Sequence, residues 1–200
     1  MVDLKKNVLY SKYEMKVDIY KSNKKYDIIY TDPPWKQGKG GKKKVRPNSS
    51  GGELDYPTMS LQDIKELHKN VFDNLTRDNH NVFMWTIDKY LIETEQFMKE
   101  LGYTMHARIV WHKVTGMAPA FTVRYTNEYL LWFYKKGKIL MLDDDVRGKY
   151  STLITEKVER HSQKPKAAYL MLEDMFKKST KLELFARSYR DGWDCWGNEV

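Results

Sequence analysis

The run Tyr26-Asp27-Ile28-Ile29-Tyr30-Thr31 ends abruptly at Asp32-Pro33-Pro34-Trp35. A short β-branched and aromatic run of this kind reads as a buried strand. Two successive prolines offer no N–H and fix φ, so the ladder cannot continue through them. The chain must therefore turn at Asp32, at the carboxyl end of a core strand.

The segments that follow alternate in period. Ser60 is placed to cap a helix whose Leu61, Ile64, Leu67, Val71 and Leu75 share one face. Asn81 to Thr86 reads as a second strand, and a helix from about Lys89 to Leu101 stops at Gly102. Tyr103 to Trp111 and Glu128 to Tyr134 read as strands. Pro165 suits the first turn of a helix running to about Lys178, and Lys181 to Ala186 reads as a last strand. Alternating strands and helices predict an α/β fold, a mainly parallel sheet with helices on both faces. Ligands of such sheets lie at the carboxyl ends of the strands. That puts Asp32 at the rim of a site.

The chain has 200 residues, enough for one domain with its own core, and no internal repeat. Its single cysteine, Cys195, excludes an intramolecular disulfide. The absence of a secretory signal reads as an intracellular chain. No apolar run approaches the ~20 residues needed to cross a bilayer. A net charge of +8 favours a polyanionic partner. Lysines and glycines concentrate in Lys36 to Gly52, which reads as a flexible basic surface loop. It is not an ATPase phosphate loop, because no Ser or Thr follows its lysines in register.

Asp32, Pro33, Pro34 and Trp35 combine a carboxylate, rigid carbonyl acceptors and a flat aromatic wall. An amino group on a planar base has two N–H donors and a delocalised lone pair. Two fixed acceptors can take both hydrogens and turn the lone pair toward an electrophile. A tight turn with an N-capping Asp is the plainer alternative for these four residues alone.

Further motifs follow in order: Tyr56-Pro57-Thr58-Met59-Ser60, Asn127-Glu128, His161-Ser162-Gln163-Lys164-Pro165, Glu183-Leu184-Phe185-Ala186-Arg187, Gly192-Trp193, and Trp196-Gly197-Asn198-Glu199. Together with the tetrad they resemble the β-class amino-methyltransferases, within them the MT-A70 family of adenine-N6 methyltransferases. The resemblance spans roughly Tyr26 to the C-terminus. It implies a Rossmann-like methyltransferase domain, circularly permuted so that the catalytic motif precedes the cofactor motif, with S-adenosylmethionine as cofactor. It also implies roles. Asp32 and the Pro33 carbonyl hold the target amino group, and Trp35 and Tyr56 wall the base slot. Glu128 and Lys164 approach the target nucleoside, with Lys164 also in reach of the cofactor. Arg187, Tyr189, Asn198 and Glu199 contact the cofactor's ribose and adenine, and Phe185 lines the same pocket. Asp18 and Ile19 match a pair contacting its adenine.

Tyr189 stands where the mRNA enzyme has a His, and Glu199 where it has a Gln. The Gly-rich loop of many bacterial β-class enzymes is absent after Phe185. The compact size implies a bacterial or phage enzyme, acting in the cytoplasm on DNA in preference to RNA; a homodimer is left open. Asp32 speaks against cytosine enzymes, which more often begin the tetrad with Ser, and the intact tetrad speaks against a non-catalytic scaffold subunit. Lys42, Lys43 and Lys44, following the tetrad, are expected to contact phosphates. No metal is expected: His68, His80, His106, His112 and His161 have no ligand spacing, and Asp143-Asp144-Asp145 reads as a solvated turn. Trp85, Trp111 and Trp132 are expected in the core.

Overall fold

The computed structural model describes residues 15–36, 57–114, 123–135, 137–159 and 163–200. Nearly all of the basic loop, with Lys42, Lys43 and Lys44, lies outside these residues, as do Tyr56 and His161-Ser162.

Strand β1 (Tyr26–Thr31) is followed by α1 (Leu61–Leu75), β2 (Thr76–Thr86), α2 (Leu91–Glu100), β3 (Tyr103–Lys113) and β4 (Asn127–Lys135). Then come β5 (Leu153–Glu156), α3 (Lys166–Met175), β6 (Lys181–Leu184) and β7 (Asp194–Trp196). The strands form one seven-stranded sheet in the order β5-β3-β4-β2-β1-β6-β7. Only β4 is antiparallel to its neighbours, β2 and β3; every other pairing is parallel.

Period-2 alternation divides the sheet between two cores. Ile29, Val82, Met84 and Leu131 face one way and meet Ile64, Val71 and Leu75 of α1 with Phe97 and Met98 of α2. Ile28, Tyr30, Phe83 and Trp85 face the other way and meet Ala168, Met171, Leu172 and Met175 of α3. Helices thus cover both faces, a Rossmann-like arrangement. Fully burying each large apolar side chain contributes roughly 1.5–3 kcal/mol.

The local signals are realised in detail. Ser60 accepts from the Asp63 N–H at 3.1 Å while the Asp63 carboxylate accepts from the Ser60 N–H at 3.3 Å, a capping box at the start of α1. Gly102 follows α2 at φ +82, where a side chain would be strained. Trp85, Trp111 and Trp132 are buried within the sheet. His68 is also buried: its Nδ1–H donates to the Ile64 carbonyl and its Nε2 accepts from Thr31. Burial pulls its pKa down to about 4, so it stays neutral.

Some elements differ from expectation. β2 begins at Thr76, directly after α1 and five residues before the apolar run. β5 and β7 are strands of four and three residues that periodicity does not reveal. α3 ends at Met175 because Phe176 leaves the helix to pack against Phe83 and Trp132. Pro165 stands just before α3 as its N-cap, and the Glu156 carboxylate accepts from the Lys166 and Ala167 N–H groups at 2.7 and 2.9 Å. The sheet thereby fixes the start of α3, and with it Lys164.

Candidate active site

The carboxyl ends of β1, β2, β6 and β7 share one edge of the sheet. Because β4 runs the opposite way, its first residues, Asn127 and Glu128, lie at that same edge. A cavity opens there in two adjoining lobes of about 310 and 360 Å³. Asp32, Lys164, Phe185, Arg187 and Glu199 border both.

The turn after β1 forms one wall of the first lobe. The Trp35 N–H donates to the Pro33 carbonyl at 2.8 Å, and the Met59 N–H donates to the Pro34 carbonyl at 3.0 Å. Each carbonyl is fixed in direction and keeps a second lone pair. Trp35 is only 4% exposed; its indole N–H donates to the Trp85 carbonyl at 3.1 Å, and its ring stacks on Tyr90 with centroids 5.0 Å apart. One face of Trp35 is therefore covered by Tyr90, and the residue lines the cavity as a rigid wall.

Four charges form a chain, of which Asp32, Glu128 and Lys164 line the cavity and Lys113 stands behind Glu128. The Lys164 ammonium lies 2.9 Å from Asp32 Oδ1 and 2.9 Å from Glu128 Oε2. Lys113 holds Glu128 Oε1. Burial opposes the charge on Lys164, but Asp32 and Glu128 outweigh it and raise its pKa. Burial also pushes Glu128 up, and here the two lysines prevail, so Glu128 is held below the usual carboxylate range. For Asp32 burial wins: aided by Glu128 and opposed by Lys164, it leaves the carboxyl raised and better able to accept a proton.

The turn after β6 is built differently. Phe185 takes φ +61, a left-handed conformation costly for a bulky residue, and lines both lobes. The Ala186 N–H donates to the Trp196 carbonyl at 2.9 Å. A Cβ on Gly197 would stand 2.2 Å from the Ala186 carbonyl oxygen, so only glycine permits this approach. Beyond it, Asn198 and Glu199 line the cavity, and Arg187 Nε lies 3.6 Å from Glu199 Oε1. Tyr189 borders the second lobe.

The structure therefore brings together the tetrad, Glu128, Lys164, Phe185, Arg187, Tyr189, Asn198 and Glu199. It places Asp18 and Ile19 beside the end of β7, where the Val17 N–H donates to the Cys195 carbonyl at 2.9 Å, but neither lines the cavity. Three participants have no role assigned from the sequence, although Glu183 stands inside one of its motifs. Lys113 and Tyr90 meet the site only through sheet register and helix placement. Glu183 carried a signal: a carboxylate inside the apolar strand Lys181-Leu182-Glu183-Leu184. It is 8% exposed, lines the second lobe, accepts from the Tyr169 hydroxyl at 2.8 Å, and is pushed up to about 7 by burial. Among the described residues no cluster of His, Cys, Asp and Glu could hold a metal, and no helix is long and apolar enough to cross a membrane.

The sheet has a Rossmann-like methyltransferase arrangement, with the Asp-Pro-Pro-Trp turn and Asn198 lining one cavity at its edge. The MT-A70 family model matches residues 26–199, and the chain belongs to that family. It is 31% identical to the Type II methyltransferase M.MunI of Mycoplasma sp, over 88% of this chain and 78% of the relative. It is 25% identical to the N(6)-adenosine-methyltransferase MT-A70-like protein of Arabidopsis thaliana, where 88% of this chain covers 24% of the relative. Identity to the human N(6)-adenine-specific methyltransferase METTL4 is also 25%, over 88% of this chain and 38% of that protein.

Proposed function

We propose that the chain transfers a methyl group from S-adenosylmethionine to the N6 amino group of adenine in DNA. The observation that carries this reading is the Asp32 carboxyl and the Pro33 carbonyl, two fixed acceptors side by side on the cavity wall, with Lys164 against Asp32. The donor set fits a nucleoside cofactor. Asn198, Glu199, Arg187 and Tyr189 supply hydrogen-bonding groups for a ribose and an adenine, Phe185 supplies an aromatic face, and the missing side chain of Gly197 lets the last turn close on Ala186. When bound, S-adenosylmethionine contributes an electrophilic methyl group.

The protein's own groups do the rest. Trp35 and Pro34 confine the planar base. Asp32 and the Pro33 carbonyl accept the two amino hydrogens, which draws the nitrogen lone pair out of conjugation and aims it. As the new N–C bond forms, the nitrogen must shed one proton, and the raised Asp32 carboxyl is placed to receive it. Lys164 steadies Asp32 in its ionised form before transfer. Lys42, Lys43 and Lys44 contribute phosphate contacts. The domain acts as one unit in the cytoplasm.

Support for DNA comes from M.MunI, most of whose length this chain covers. The N(6)-adenosine-methyltransferase relatives support RNA as the second reading, although the chain spans about a quarter of their length. The deciding experiment incubates the protein and methyl-labelled cofactor with duplex DNA, single-stranded DNA and RNA, then separates the nucleosides. Label is expected in N6-methyl-deoxyadenosine. Label confined to RNA adenosine transfers the role to RNA, and label in cytosine or in no nucleoside overturns the proposal.

A further inference from the structure

We propose that Lys113 is a positioning residue of this site: it holds one oxygen of Glu128 so that Lys164 remains shared between Glu128 and Asp32. The inference rests on the methyltransferase reading above and adds a residue that the family motifs leave aside.

The geometry is a chain of alternating charges drawn from four segments. Lys113 comes from the end of β3 and Glu128 from the start of β4. Lys164 precedes α3 and Asp32 follows β1. Lys113 holds Glu128 Oε1, and Lys164 holds Glu128 Oε2 and Asp32 Oδ1, each at 2.9 Å. All four side chains are no more than 21% exposed, so water screens them poorly. Trp111 stands opposite Glu128 in the β3–β4 ladder, and the Lys113 ammonium lies 5.2 Å from its ring centroid. That contact keeps the ammonium over the strand instead of out in solvent.

Two lysines and two carboxylates leave the cluster neutral. Without Lys113, two buried carboxylates share one cation. Lys164 is then drawn to Glu128, its grip on Asp32 loosens, and the pair holds a proton to higher pH. The charged groups facing this pair are Lys113 from β3, Lys164 ahead of α3, and Arg187 after β6, whose charge reaches Asp32, while the titratable Glu183 of β6 and Tyr30 of β1 face Asp32 as well. Asp32 and Glu128 face each other from β1 and β4.

The test compares wild type, Lys113→Met and Lys113→Arg, each first shown to melt cooperatively. In Lys113→Met, kcat should fall about tenfold with KM for nucleic acid little changed, since a reacting group is misplaced and no substrate contact is lost. The acid limb of the kcat profile should move up by about one pH unit, and Lys113→Arg should restore it. Independently of turnover, carbon-13 NMR of the Glu128 carboxyl should show its titration moving upward in Lys113→Met. An unmoved Glu128 titration overturns the proposal. So does an unmoved acid limb with a raised KM and a flatter salt dependence, which would make Lys113 a phosphate contact. Failure of the function reading looks different: wild type transfers no methyl group to any nucleic acid, whatever the Glu128 titration does.

Discussion

The turns after β1 and β6 leave neighbouring strands at the same edge, yet they are made rigid by opposite means. After β1, stiffness is covalent and ionic: two prolines, a buried indole and a carboxyl held by Lys164. After β6 it is steric: Phe185 at positive φ, Ala186 hydrogen-bonded to Trp196, and Gly197 pressed onto Ala186. The polar groups on this side of the cavity are more exposed, with the side chains of Arg187 after β6 and Glu199 after β7 36% and 56% accessible. A site that must orient a reacting atom benefits from groups that cannot relax. A site that must admit and release a ligand benefits from groups that reach solvent.

The largest expected effect breaks the first turn. Asp32→Ala should lower methyl transfer about 100-fold or more while cofactor affinity stays within a few-fold, because it removes an oriented acceptor from a water-poor site. Rapid-quench transfer and calorimetry on the same preparation check both halves.

Gly197→Ala attacks the second turn. Its Cβ would overlap the Ala186 carbonyl, so the turn must shift. Overpacking of this kind costs about 1–3 kcal/mol, and each kcal/mol lowers Tm by roughly 2–4 °C in a chain of this size. Cofactor affinity should fall about tenfold with it. An unchanged melting curve and unchanged affinity would show that the approach of the two segments is not needed.

Glu183 sharpens the contrast, since it is a carboxylate beside the second turn with no lysine such as Lys164 to hold it. Folded, it keeps its proton up to about pH 7, against 4.5 for a free glutamate. Between those values the folded chain binds more protons than the unfolded one, so this residue makes stability fall as pH rises through the window. Above pH 7 the loss is complete. Glu183→Gln, neutral throughout, should melt about 5 °C above wild type at pH 8 and alongside it near pH 4. A difference independent of pH would contradict the assignment.

Much of the first turn was legible in the sequence, because prolines and a strand terminus are local facts. The same holds for the Ser60 cap, for Gly102 and for the buried tryptophans. Asn198 and Arg187 were legible only through family resemblance. What stayed hidden depends on register between distant segments. Lys113 meets Glu128 because β3 and β4 pair so that Trp111 stands opposite Glu128, and Glu128 reaches the catalytic edge because β4 alone runs backward. β7 is only three residues long, too short for periodicity to show. The basic loop and Tyr56 fall outside the described residues, so the expectation for Lys42, Lys43 and Lys44 stands on the sequence.

That loop gives the smallest expected effect. Changing all three lysines to Ala should weaken binding to all sequences about equally and flatten the salt dependence by up to roughly one log–log unit per lost phosphate contact. Cofactor affinity should not move. An identical salt slope in both proteins would leave the loop without a part in substrate binding.

The division of labour between the two sides of the cavity is tested most directly by single-turnover transfer measured across cofactor concentration for wild type, Asp32→Ala after β1 and Asn198→Ala after β7. The expected result is a collapsed plateau with unchanged half-saturation for Asp32→Ala, and a preserved plateau with raised half-saturation for Asn198→Ala. A preserved plateau in Asp32→Ala, or both variants shifting the same parameter, would contradict it.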